Sequence, residues 1–132
     1  MKKQNVGAAI FNGGKVLIVK RLESESDWAG FWELPGGGVD SGESLEVALH
    51  REILEETQLS IDTNMVPYYT FNYDNTEEFH YIANTNAPEK LKLEPMEHDD
   101  YRWISSSSEL DGLKMSPELV SSISQALENV NA

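Results

Sequence analysis

Cysteine is absent from all 132 residues, so neither a disulfide framework nor a thiol nucleophile is available. That suits a cytoplasmic protein. No apolar run approaches the ~18 residues of a membrane span, and the opening MKKQNVGAA carries lysines but no long apolar segment, so no signal peptide is expected. Positive charge is scarce: ten Lys and Arg stand against 23 Asp and Glu, a net charge of −13. Such a balance argues against nucleic-acid polymers and membranes as partners. It excludes small phosphates less firmly, because a metal ion can bring them into an acidic site. The basic residues are unevenly placed, with Lys2, Lys3, Lys15, Lys20 and Arg21 making five of the ten. Repeats, low-complexity tracts, interdomain linkers and loops with EF-hand ligand spacing are also missing.

What is present describes one domain over residues 1–132, with 39% hydrophobic and 25% charged residues and enough chain for a real core. Residues 6–11 read as a buried strand, and Asn12-Gly13-Gly14 as the turn of a hairpin into a second strand over 15–21. Arg21 ends that strand, where a solvated edge charge is the default reading. A polar loop over 22–31 carries Trp28. Its hydrophilic neighbours keep Trp28 near the surface, where it suits stacking on a base, whereas Trp32 suits the core. Residues 65–73 and 78–83 read as further strands around Asp74-Asn75-Thr76, with Pro67 marking an edge or bulge. The stretch 84–96 is loop-like, the cluster Glu97-His98-Asp99-Asp100 precedes a last strand over 101–104, and 105–113 holds a short helical turn. Ser116-Pro117 opens a helix running to about Asn129, with Leu119, Val120, Ile123 and Leu127 on the side facing the sheet. His80, in a strand, is left without a role.

The stretch Gly36–Leu59 (GGGVDSGESLEVALHREILEETQL) organises the rest. It predicts a helix from Glu43 or Ser44 to about Thr57. At about 100° per residue, Leu45, Ala48, Leu49 and Ile53 share one stripe with Glu52 and Glu56, and Glu55 sits at its edge. Carboxylates spaced i, i+3, i+4 repel one another by a few tenths of a kcal/mol per pair. They also oppose the helix dipole at this end. Two readings fit: a solvated acidic helix end, or a seat for a hard divalent cation such as Mg²⁺ or Mn²⁺.

Gly37, Glu43, Arg51-Glu52, Ile53, Glu55-Glu56 and Leu59 stand at the spacing G-x5-E-x7-R-E-U-x-E-E-x-G-U, with U aliphatic. This resembles the Nudix box at every specified position but one, where Gln58 replaces the late glycine. The resemblance extends to Trp32-Glu33-Leu34-Pro35-Gly36-Gly37 and to EHDDYRWI from Glu97. It implies an α+β fold, the Nudix α/β/α sandwich with a mixed β-sheet. It also implies Mg²⁺ (or Mn²⁺) on Glu52, Glu55, Glu56 and the Gly36 carbonyl, with Arg51 and Glu43 orienting the turn and the carboxylates. Glu97 or Asp100 is a further acid, as ligand or base. Arg21, Trp28 and the backbone at Gly37 are the substrate contacts. The implied activity is hydrolysis of a nucleoside diphosphate linked to X, by a monomer or homodimer acting on a small nucleotide. A nucleoside triphosphate, oxidised or not, ranks first, giving the monophosphate and pyrophosphate. ADP-ribose or a nucleotide sugar ranks second, and a non-catalytic nucleotide-sensing domain stays open. Diphosphate isomerisation is a further alternative on the same fold.

Overall fold

The hairpin forms as its turn residues predict. Strands β1 (Lys3–Asn12) and β2 (Lys15–Arg21) pair Asn12 with Lys15 across a two-residue loop. Gly13 and Gly14 both have positive φ, 59° and 81°, the combination that a tight twisted hairpin needs. This computed structural model describes residues 2–25 and 27–131, so Ser26 of the predicted loop lies outside them. The remaining strands are β3 (Trp32–Glu33), β4 (Gly36–Gly38), β5 (Asp62–Thr63), β6 (Tyr69–Tyr73), β7 (Thr76–Asn84) and β8 (His98–Ile104). The helices are α1 (Leu45–Thr57) and α2 (Pro117–Asn131), with 3-10 turns at Pro88–Lys90 and Ser107–Leu110.

Among the described residues the strands form one sheet in the order β3-β2-β1-β7-β5, with β4 on β1, β6 on β7 and β8 on β2. Strand β1 runs parallel to β7, pairing Asn5 with Glu78 and Gly7 with His80, while the other pairings are antiparallel. The sheet is therefore mixed. Side chains alternate across it, as the two-residue repeat of a strand requires. Val6, Ala8, Ile10, Leu17 and Val19 pack with Ala48, Leu49 and Ile53 of α1. Ala9, Phe11, Val16 and Ile18 pack on the other face with Ile123, Ala126 and Leu127 of α2. Two helices thus sandwich one sheet, and each fully buried Leu or Ile contributes about 1.5–3 kcal/mol.

Helix α1 starts where a capping serine allows. Ser44 is extended, and its hydroxyl accepts from the Val47 N–H at 3.1 Å. It ends on Gln58 in the left-handed conformation (φ 61°, ψ 16°), with the Gln58 N–H donating to Leu54 O at 2.9 Å. A non-glycine residue thus occupies the position that normally favours glycine.

Four local expectations shift. The strand predicted over 65–73 begins only at Tyr69, because Met65 is left-handed (φ 57°) and Pro67 lacks a ladder donor. The short strands β4 and β5 have too few apolar residues to announce themselves. Strand β8 begins at His98, so Asp99 and Asp100 belong to a strand rather than to a loop. On α2, Val120 is exposed, and Ser122 and Ala126 take the buried face with Ile123 and Leu127.

Candidate active site

Close backbone approach sets the geometry of the glycine turn. A Cβ on Gly36 would collide with the Val6 carbonyl on β1, and one on Gly37 with the carboxylate of Glu52. Bare backbone therefore lets α1 lay its carboxylates against β4. The Gly36 N–H donates to Glu56 Oε1 at 2.9 Å, which ties the last turn of the helix to the strand.

Arg51 organises the solvent side. Its Nε donates to Glu43 Oε2 at 2.6 Å and its Nη2 to Glu43 Oε1 at 2.8 Å, a two-pronged pairing. The same guanidinium reaches the Gly38 carbonyl at 3.0 Å, Glu52 Oε1 at 2.9 Å and Glu55 Oε1 at 3.4 Å. The Arg51 hydrogen bonds and the Asp40 N–H hold the Glu43 carboxyl down at about 2. The Glu43–Arg51 pair, eight residues apart, clamps the turn to the helix.

The acidic face divides by burial. Glu56 is buried, and desolvation first, then repulsion from Glu33, Glu52 and Glu97, pushes its carboxyl up to about 9. Burial also raises Glu52, against the opposing pull of Arg51. Glu55 stays exposed at the rim beside Arg51. Glu97 is brought in by a backbone staple. The N–H groups of Lys92 and Glu94 donate to the carbonyls of Thr57 and Glu56, both at 3.0 Å. Gly36, Gly37, Glu52, Glu56 and Glu97 thereby line one cavity of about 350 Å³. Asp100 is not brought to it: it is exposed on β8, opposite Lys20.

A second, aromatic cavity of about 520 Å³ adjoins the first, and Asn5, Arg21, Glu33, Glu78 and Leu119 line both. Trp28, 41% exposed, stands on its wall edge-on to Phe31 (5.0 Å between ring centroids) and Tyr73 (5.5 Å). Its backbone is left-handed at φ 57°, a conformation costing roughly 1–2 kcal/mol for a non-glycine residue. Such outliers concentrate at functional sites. Trp32 is 5% exposed and packs in the α2-side core, as expected of it.

Several site residues escaped the sequence reading. Glu33 accepts from the Nε2–H of buried His98 at 2.8 Å and faces Arg21 Nη1 at 3.6 Å. His80 is buried against the acidic cavity with Nδ1 2.6 Å from Ser122 Oγ, and desolvation pushes it down to about 4. Asn5 and Glu78 meet across the parallel pair. A carboxylate in a strand otherwise rich in aromatic and β-branched residues was the available signal for Glu78.

The family model for the NUDIX domain matches residues 1–120. The chain belongs to the NUDIX family. Over 70 residues it is 46% identical to an RNA pyrophosphohydrolase of Wolbachia pipientis wMel, a match covering 52% of this chain but 38% of that relative. Over 108 residues it is 32% identical to the nucleoside triphosphatase NudI of Escherichia coli O139:H28, covering 72% and 76% of the two chains. Among solved structures it superposes on a MutT NUDIX hydrolase from Burkholderia pseudomallei with a TM-score of 0.76 and 28% identity, covering 98% of each chain. A NUDIX-family hydrolase from Clostridium perfringens shares the fold at TM-score 0.79 and 21% identity, covering 98% of this chain and 99% of that one.

NUDIX hydrolases generally use divalent cations, and the donor chemistry here suits one. Glu52, Glu56 and Glu97 supply hard oxygens in one cavity, and two of them are carboxyls whose burial disfavours charge without a counter-ion. Among the described residues, no three such groups already converge closely enough to hold an ion. Arg51 holds Glu52 at 2.9 Å and Glu55 at 3.4 Å, and Glu56 is turned to the Gly36 N–H. Among the described residues, no helix of this NUDIX domain is long and apolar enough to cross a membrane.

Proposed function

We propose that this protein hydrolyses a phosphoanhydride of a nucleoside diphosphate linked to X. A nucleoside triphosphate, with a normal or oxidised base, is the first choice, giving the monophosphate and pyrophosphate. The observation that carries this reading is the junction of an acidic cavity and an aromatic one at Arg21. Phosphates lie against the acidic side and Arg21, and the base stacks on Trp28. The Gly37 backbone, which lines the acidic cavity beside the Glu52 carboxylate, is a further substrate contact.

Anhydrides resist water because their own negative charge repels a nucleophile, so catalysis consists mainly of neutralisation and positioning. Glu52, Glu55, Glu56 and the Gly36 carbonyl would hold Mg²⁺, with Mn²⁺ as the alternative. When bound, the ion neutralises the diphosphate and lowers the pKa of an attached water. The chain's own groups do the rest. Arg51 and Glu43 fix the helix against the turn, and Glu97 or one of the helix glutamates accepts the proton of the attacking water. The water oxygen bonds to phosphorus, the bond to the bridging oxygen breaks, and pyrophosphate leaves with that electron pair. No covalent enzyme intermediate is needed. Within the loop acids of the sequence reading, placement favours Glu97 over Asp100.

The test is a panel of nucleoside triphosphates, oxidised triphosphates, nucleotide sugars and ADP-ribose incubated with Mg²⁺. Phosphate and pyrophosphate are measured separately and the products are weighed by mass spectrometry. Monophosphate and pyrophosphate in equal amounts from a triphosphate are expected. Failure to cleave any member, with or without Mn²⁺, refutes the reading.

A further inference from the structure

We propose that Glu78, oriented by Asn5, reads the sugar of the bound nucleotide and makes the site favour ribose over deoxyribose. This rests on the nucleotide reading above. A nucleotide with phosphates in the acidic cavity and its base against Trp28 must place its sugar at the rim that the two cavities share. Five residues form that rim: Asn5, Arg21, Glu33, Glu78 and Leu119.

Three of the five are spoken for or inert. Glu33 already faces His98 at 2.8 Å and Arg21 at 3.6 Å. Arg21, held by the Asp27 carbonyl at 3.3 Å and by Glu25 at 3.9 Å, is committed to the phosphates on that reading. Leu119 has no polar side-chain atom. Asn5 and Glu78 remain, placed side by side by the parallel register of β1 and β7. Asn5 Nδ2 donates to Glu78 Oε1 at 3.2 Å, and among the described residues no other group donates to that carboxyl. A carboxyl group offers several lone-pair sites and Asn5 fills one of them, so the half-buried Glu78 keeps acceptor capacity at the rim, although burial and then Glu33 raise its pKa. The vicinal hydroxyls of ribose supply two donors there, whereas deoxyribose supplies one. A site built to hydrogen-bond a hydroxyl discriminates strongly against the analogue lacking it, because its acceptor is left unpaired.

Two measurements test this. The first is kcat/KM with Mg²⁺ for GTP against dGTP and UTP against dUTP. The second is the affinity for GMP against dGMP by titration calorimetry without divalent cation. Wild-type protein should favour the ribonucleotide at least tenfold for both bases. E78V should bring the ratio below about threefold, and N5A should lower it partly. A ratio is insensitive to a general loss of stability, and circular dichroism confirms that each variant folds. A wild-type ratio near one, a ratio kept by E78V, or a preference that follows the base instead of the sugar overturns the proposal. If no nucleotide is hydrolysed, the hydrolase reading fails while the monophosphate titration still decides the sugar. Equal or undetectable binding of both monophosphates then overturns this inference too.

Discussion

Replacing Glu56 by glutamine separates the cost of a buried charge from its use. In the folded protein this carboxyl is pushed up to about 9, first by burial and then by Glu33, Glu52 and Glu97, whereas in the unfolded chain it titrates near its ordinary value of 4.5. Below pH 4.5 both states are protonated and the residue contributes no pH dependence. Between pH 4.5 and 9 the folded protein retains a proton that the unfolded chain has lost, so stability falls as pH rises. At ~1.4 kcal/mol per pH unit the upper bound at pH 7 is about 3.4 kcal/mol. Water entering the cavity and local relaxation bring the expected value to about 1–2 kcal/mol. Glutamine keeps an acceptor for the Gly36 N–H and cannot ionise. Glu56→Gln should therefore melt higher than wild type without divalent cations, by roughly 3–8 °C at pH 7. The gap should widen toward pH 9 and vanish near pH 4.5. Added Mg²⁺ should stabilise wild type more than the variant, and turnover of the variant should fall by orders of magnitude. The reasoning fails if the variant melts lower at pH 8 without metal, if the gap ignores pH, or if turnover with Mg²⁺ stays near normal.

Gln58→Gly relieves a left-handed residue costing about 1–2 kcal/mol and adds unfolded-state entropy worth about 0.4–1 kcal/mol. A net gain of about 0.5–1 kcal/mol is expected from urea midpoints, and a lower midpoint would reject strain at this cap. Trp28→Ala should raise KM for the nucleotide about tenfold, as ~1.4 kcal/mol per decade implies, with little change in melting temperature. Trp32→Ala should instead cost about 3–5 kcal/mol of stability; steady-state kinetics and thermal melts on both variants check the assignment, which the reverse pattern would invert. His80, pushed down to about 4 by burial, must be charged as the protein unfolds in acid. Its contribution makes stability fall with pH between 6.5 and 4, by about 2 kcal/mol at pH 5. His80→Gln should flatten that slope in a pH series of denaturation midpoints, and an unchanged slope would show that the imidazole is protonated in the fold.

The helix, the hairpin and the acidic stripe were legible because each is a local pattern. Ser44 caps, Gly13-Gly14 turns, and Leu45, Ala48, Leu49 and Ile53 repeat at helical spacing. The Glu43–Arg51 pair was legible from the motif and its spacing, since Glu43 stands in the turn just before the capping Ser44, within reach of a long arginine on the helix. What pairs across the sheet was not. Nothing near Glu78 says that it will meet Asn5. Nothing near Glu97 says that Lys92 and Glu94 will staple its segment to the end of α1. Asp100 and Glu97 look alike in a string, yet the start of β8 at His98 sends one to the solvent face and leaves the other at the cavity. His98 read as part of a polar cluster, but the register of β8 on β2 buries it under Glu33.

The parallel seam between β1 and β7 also governs when this protein can fold. Residue pairs such as Asn5 and Glu78 lie 73 positions apart, and topologies dominated by such distant contacts fold slowly. During synthesis β1 can meet β2 at once, but its β7 neighbour is translated long afterward. At about 5–20 residues per second, that delay lasts several seconds. Throughout it the β1 edge offers unpaired backbone groups to any other chain. The lysines at positions 2 and 3 stand at the start of that edge, where charge discourages such pairing. Removing them should leave the finished fold almost untouched while increasing aggregation during its synthesis.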